Sequence, residues 1–92
     1  MIRNFKHKGL KQLFETRKRK GVPPDLASRI RTLLDWLSAA GEVRDLNMPG
    51  FGLHELKGDR AGTWAIKVNK NRRITFRFVG GEVYDVDLED YH

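Results

Sequence analysis

The sequence predicts an α+β fold, a small antiparallel β-sheet with two N-terminal helices packed on one face. Three observations carry this. Apolar residues recur at helical spacing in the first half, apolar and polar residues alternate through the last third, and a Gly-Gly pair divides the last two alternating runs. At 92 residues the chain reads as a single domain over 1–92, with room for one hydrophobic core.

A short strand is expected over residues 2–5. A first helix follows from about His7 to Lys20, because Leu10, Leu13 and Phe14 fall on one face. Gly21 is placed to end it, and Pro23-Pro24 forbid its continuation. The second helix opens at Pro24 or Asp25, where proline suits the first turn and the acid meets the positive end of the dipole. Leu26, Ile30, Leu33 and Leu37 form its apolar stripe, supported by Ala27 and Leu34, and Gly41 closes it. Residues 45–52 contain Asn47, Pro49, Gly50 and Gly52 and read as a loop.

Three strands are expected next, over 63–68, 72–79 and 82–88. Trp64, Ile66 and Val68 share one side of the first. In the second, Ile74, Phe76 and Phe78 oppose Arg73, Thr75 and Arg77. In the third, Tyr84, Val86 and Leu88 alternate with Val83, Asp85 and Asp87. Alternation of this kind gives a sheet with one packed and one wet face, and Gly80-Gly81 suits a two-residue hairpin turn. The wet face is expected to display Lys67, Arg73 and Arg77.

Composition narrows the function. Charged residues make up 33 % of the chain, against about 25 % in an average protein, so the core must be economical. The net charge is +6 and unevenly spread: residues 1–31 hold ten of the eighteen Lys and Arg but only two of the twelve acids. A surface of that kind attracts polyanions, of which nucleic acid is the commonest. Arg17-Lys18-Arg19-Lys20 stands out; it suits the last turn of the first helix, facing the negative dipole end, and also an RNA-docking surface. Lys67 and Arg77 are further candidates for RNA contact.

The absence of cysteine excludes disulfides, thiolate nucleophiles and cysteine metal sites. His7, His54 and His92 lack metal-ligand spacing, so neither a metal nor a cofactor is expected. No apolar run approaches the roughly 20 residues that span a membrane, and the N-terminus lacks the apolar core of a secretion signal. A cytoplasmic protein without a membrane partner is the expectation.

Arg73 has a specific interest. A guanidinium held by a strand on an open face is a rigid donor fork suited to phosphate. The ordinary alternative is an ion pair with Asp85 or Asp87 on the neighbouring strand.

Three blocks carry a resemblance. Residues 53–64, Leu-His-Glu-Leu-Lys-Gly-Asp-Arg-Ala-Gly-Thr-Trp, resemble the LxxLKGxRxGxW stretch of HigB-type toxins of the RelE/ParE superfamily. Residues 68–76 are similar to that family's VNxxxRIxF strand, and Glu89-Asp90-Tyr91-His92 to its terminal DYH. The resemblance covers essentially the whole chain. One departure is Arg72, where members usually carry Trp or Tyr. The resemblance implies a RelE-like fold and a ribosome-dependent endoribonuclease that cuts messenger RNA in the A site. It also implies a HigA-type helix-turn-helix antitoxin, with operator DNA bound only through the toxin–antitoxin complex. The functional positions it implies are His54, Lys57, Arg73, Asp90, Tyr91 and His92.

Those residue types fit metal-free cleavage by the ribose 2′-OH. Histidine suits the acid and base roles because its ordinary pKa lies near neutrality. Lys57 and Arg73 supply positive charge for the phosphorane, Tyr91 can stack on a base or give a proton, and Asp90 can orient a histidine or act as base. Two local conditions follow. His54 and Lys57 share a side only if their strand ends or bulges near Leu56, and the 90–92 tripeptide reaches the wet face only if the chain turns after Leu88. Two rival functions remain: a ParE-like gyrase inhibitor, which needs no histidine–lysine set, and a non-catalytic RNA-binding module.

Overall fold

The first helix, α1 (Lys8–Thr16), is opened by His7, whose Nδ1 accepts the backbone N–H of Leu10 at 3.1 Å. It ends four residues before the sequence expectation. Arg17 adopts a left-handed conformation (φ 64°) and its N–H bonds to Leu13 O, so Lys18-Arg19-Lys20 lie outside the helix. The reason is tertiary: Leu13 O is also taken by Arg31 Nη1, and the chain must double back until Gly21 lies against Gly9. The basic run is therefore not the last turn of a helix, and its expected dipole role does not apply.

A 3-10 turn at Pro24–Leu26 leads into α2 (Ala27–Ala39), with proline at the start as expected. Ile30, Leu33, Leu34 and Leu37 are fully buried. The following segment is less loop-like than its composition implies. A 3-10 turn at Val43–Leu46 is closed reciprocally by Glu42 and Asp45, and Leu46 and Phe51 join the core.

The computed structural model describes residues 1–91. Its sheet runs β1 (His54–Glu55), β2 (Thr63–Lys67), β3 (Arg72–Val79) and β4 (Glu82–Asp90), antiparallel and in that spatial order. Residues 2–5 lie parallel to β4 through bridges Ile2–Val83 and Phe5–Val86, so β4 is flanked on both sides. The helices cover the face bearing Ile66, Ile74, Phe76, Val83 and Val86, which form one cluster with Leu10, Leu13 and the stripe of α2. No described helix is long and apolar enough to cross a membrane. Gly80 and Gly81, both at positive φ, make the hairpin turn with Val79 opposite Glu82.

Two sequence expectations fail on β4. Its parity reverses partway: between Thr75–Asp87 and Arg77–Tyr84 the register slips by one residue, and Asp85 takes φ 57°. This β-bulge puts Val83 and Val86 both on the core side. Asn4 holds the bulge, accepting Asp85 N–H at 3.0 Å and donating to Asp85 Oδ1 at 2.8 Å. The strand also does not turn after Leu88. It runs through Asp90, and Tyr91 N–H continues the pairing onto Asn71 O at 2.7 Å.

Candidate active site on the open face of the sheet

The bulge decides which side chains reach the face away from the helices. An unbroken register from the Gly-Gly turn would set Arg73 opposite Leu88. The extra residue instead sets it opposite Glu89. The open face consequently carries three rows: Lys67, Arg73 and Glu89; His54, Ala65, Thr75 and Asp87; Thr63, Arg77 and Tyr84.

Arg73 is the most constrained cation of this face. Its side chain is only 18 % exposed, its Nη2 donates to Glu89 Oε1 at 3.2 Å, and its guanidinium lies over the Tyr91 ring, 5.1 Å from the centroid. The ion pair with an acid on the neighbouring strand is thus present, but its acid is neither Asp85 nor Asp87. Asp85, in the bulge, pairs with Arg77 at 3.5 Å, and Asp87 stands opposite Thr75. The Asn4 amide, and next Arg77, hold the Asp85 carboxyl below its ordinary range.

Glu89 is the hub. Arg60, from the 3-10 turn Gly58–Arg60, donates to both of its carboxylate oxygens, the Nη1–Oε1 distance being 3.0 Å, and Thr75 Oγ1 donates at 3.2 Å. These donors, Arg60 foremost, hold the Glu89 carboxyl at about 2 against the opposing effect of burial. The same contact raises the Arg60 pKa. Sequence reasoning missed both residues. A signal was present, since Arg60 is the arginine of the LKGxRxGxW block and Glu89 directly precedes the terminal tripeptide.

His54 lies on the short β1, exposed, with Nδ1 2.9 Å from Gly52 O. A carbonyl only accepts, so Nδ1 carries the hydrogen and Nε2 of the neutral ring keeps its lone pair. The strand stops at Glu55 and Lys57 is the cap that precedes the 3-10 turn, which satisfies the condition for releasing Lys57 from strand alternation. Lys57 is exposed.

The terminal residues divide. Tyr91 shares the open face with Arg73, while Asp90 alternates to the other side and meets Arg72 Nε at 3.2 Å. Arg72, the departure from the family pattern, thus has a partner at the end of β4. His92 lies outside the described residues. Among the described residues no three His, Cys, Asp or Glu side chains gather as a metal-ligand set. Three residues of the basic run line two grooves: Arg17 and Arg19 share one with Arg31 and Ser28, and Lys20 another with Lys8 and Lys11.

Two helices over one face of a four-stranded antiparallel sheet make a RelE-like fold. The fold is similar to that of a YoeB-YefM complex from Staphylococcus aureus (TM-score 0.59, 13 % identity, 100 % of this chain and 95 % of that one). It is similar as well to a YoeB/ParE toxin from Agrobacterium tumefaciens (TM-score 0.57, 17 % identity, 97 % and 95 %). The chain belongs to the HigB-like toxin family, described as the RelE-like toxin of type II toxin-antitoxin system HigB, whose profile matches residues 3–92. It is 49 % identical over 92 residues to Endoribonuclease HigB of Proteus vulgaris, covering all of both chains. With Toxin HigB-1 of Vibrio cholerae it shares 32 % identity over 93 residues, covering 99 % of this chain and 98 % of the relative.

Proposed function

We propose that this chain is an endoribonuclease that cuts messenger RNA in the ribosomal A site, using its own side chains for acid–base catalysis. The observation that carries this reading is Arg73, fixed on the open face between Glu89 and the Tyr91 ring, with His54 one row away. Full-length similarity to an endoribonuclease supports it.

In the reaction a base takes the proton of a ribose 2′-OH, whose oxygen attacks the adjacent phosphorus. The bond to the 5′-oxygen then breaks, leaving a 2′,3′-cyclic phosphate and a 5′-hydroxyl that receives a proton from an acid. His54 is suited to be the base, with Nδ1 anchored on Gly52 O and the lone pair left on Nε2, a role worth about 10²–10⁴-fold. Arg73 and Lys57 neutralise the charge that develops on the phosphorane. Tyr91, already stacked on Arg73, orders the guanidinium and offers a ring edge to a splayed base. His92, a functional position that the family resemblance implies, is the remaining histidine suited to the acid role. Asp90, engaged by Arg72, orients the end of β4 in this reading.

Cleavage takes place on the ribosome, in the cytoplasm, where Arg17, Lys18, Arg19 and Lys20 contribute RNA affinity from the helical side, and Lys67 and Arg77 from the open face. A HigA-type antitoxin neutralises the toxin, and operator DNA is met only through that complex. Induced expression in cells tests the reading. Growth arrest should come with broken messenger RNA bearing new 5′-hydroxyl ends, and Arg73→Ala should abolish both. Arrest with DNA damage and intact messenger RNA would instead establish the gyrase-inhibitor alternative.

A further inference from the structure

Arg73 does not stand alone: one carboxylate ties it to a second arginine on a different element. We propose that Glu89, clamped by Arg60, is a positioning residue that holds the Arg73 guanidinium in the orientation needed to meet the scissile phosphate. This rests on the role given to Arg73 above.

The geometry supports it at each contact. Glu89 Oε1 takes Arg73 Nη2 at 3.2 Å and Nε at a longer 3.4 Å, so one edge of the guanidinium is occupied and the Nη1 end is left for a ligand. The Tyr91 ring covers a face of the same group. An edge contact and a face contact together remove the rotations of a long side chain that otherwise samples many rotamers. Arg60 acts on Glu89 rather than on the ligand. It reaches across from the turn between β1 and β2 and fixes both carboxylate oxygens. Thr75, 2 % exposed, closes the cluster from beneath. The carboxyl is held at about 2, so it stays ionised at every working pH and no titration of Glu89 enters catalysis. Two arginines around one glutamate leave a net single positive charge, so Glu89 costs the site some attraction for phosphate. Its benefit is directional, and a misplacement of about 1 Å can lower a rate 10²-fold.

The test is a double-mutant cycle in single-turnover cleavage of messenger RNA on programmed ribosomes. Glu89→Gln, which keeps the shape and removes the charge, should lower the cleavage rate about 10- to 100-fold with ribosome affinity nearly unchanged. In an Arg73→Ala background the same change should have almost no further effect, because the group it positions is gone. Equal losses in both backgrounds would overturn the proposal, since Glu89 would then act independently of Arg73. Arg60→Ala leaves the Glu89–Arg73 contact in place and should give a smaller loss that Arg60→Lys partly rescues; it carries the test should Glu89→Gln fold poorly, and wild-type cleavage by Arg60→Ala would overturn the clamping role. The Nε–H resonance of Arg73 supplies a readout that does not depend on activity. It should be sharp in the wild type and broadened or shifted in Glu89→Gln, and an unchanged signal would overturn the positioning role alone. Wild-type cleavage by Arg73→Ala would instead overturn the catalytic role of Arg73, and the positioning role with it.

Discussion

Substituting Gly9 with alanine sets two ordinary effects against each other. Gly9 lies in the first turn of α1, where alanine is favoured over glycine by up to about 1 kcal/mol on helix propensity alone. The tertiary contact opposes this. A Cβ on Gly9 would stand 2.0 Å from Gly21 O and 2.5 Å from Gly21 C, where ordinary contact begins at 3.4 Å. The obstacle is backbone on both sides, so no side-chain rotation relieves it, and the segment after α1 must retreat by more than about 1 Å. That segment carries Val22, buried in the core with Leu10 and Leu13, so the retreat opens packed apolar surface. Overpacking costs about 1–3 kcal/mol, and a 2.0 Å approach to backbone belongs at the upper end of that range, so the clash should win by about 1–2 kcal/mol. In a chain of this size such a loss lowers the melting temperature by roughly 5–15 °C. Thermal and urea unfolding of Gly9→Ala, beside Gln12→Ala on the exposed side of the same helix, measures it. A Gly9→Ala variant at least as stable as the wild type would refute the reasoning, leaving propensity as the dominant effect.

Other predictions concern the sheet and the basic surface. Glu89 titrates at about 2 in the fold against an ordinary 4.5, so its stabilisation is complete above about pH 4.5 and lost as pH falls towards 2. The displacement corresponds to at most about 3 kcal/mol, and solvent around the 44 %-exposed Arg60 reduces it to about 1–2 kcal/mol. Urea unfolding of Glu89→Gln should therefore show a deficit at pH 7 that vanishes near pH 2; a constant deficit would contradict the assignment. Asn4→Ala removes both hydrogen bonds to the bulged Asp85 and should cost about 1–2 kcal/mol in denaturant titrations. It should also slow cleavage, because the bulge brings Glu89 and Tyr91 to the open face. Changing Arg17, Lys18, Arg19 and Lys20 together to Gln should weaken ribosome binding and flatten its salt dependence while sparing the cleavage rate of the bound complex. A variant that binds normally and cleaves slowly would count against that division of labour.

The layered fold was legible because its signals are local and periodic. The stripe of α2, the alternation along β3 and the Gly80-Gly81 turn each specify an element without reference to distant residues. What the sequence concealed depended on contacts far along the chain. The bulge at Asp85 is stabilised by Asn4, 81 residues away, and no pattern within 82–88 distinguishes a bulged strand from a regular one. Because that single extra residue reverses parity, the acid on the neighbouring strand that pairs with Arg73 is Glu89 and not Asp85 or Asp87. The early end of α1 has the same character, since Leu13 O is claimed by Arg31 from α2 and Gly21 is drawn onto Gly9. Within the candidate site, Arg60 and Glu89 also stand in recognisable blocks, but what marks them is their contact with each other across 29 residues of chain.

The central claim is that the open face carries out RNA cleavage, with Arg73 and His54 acting on the scissile phosphate and its 2′-hydroxyl. The most direct measurement incubates the purified protein with ribosomes programmed with a defined messenger RNA and maps the new 5′ ends, for the wild type, Arg73→Ala and His54→Ala. The expected result is a discrete cut within the A-site codon, 5′-hydroxyl and 2′,3′-cyclic phosphate termini, and a severe loss of cleavage in both variants with binding retained. Cleavage that persists at the wild-type rate in Arg73→Ala and His54→Ala would contradict it.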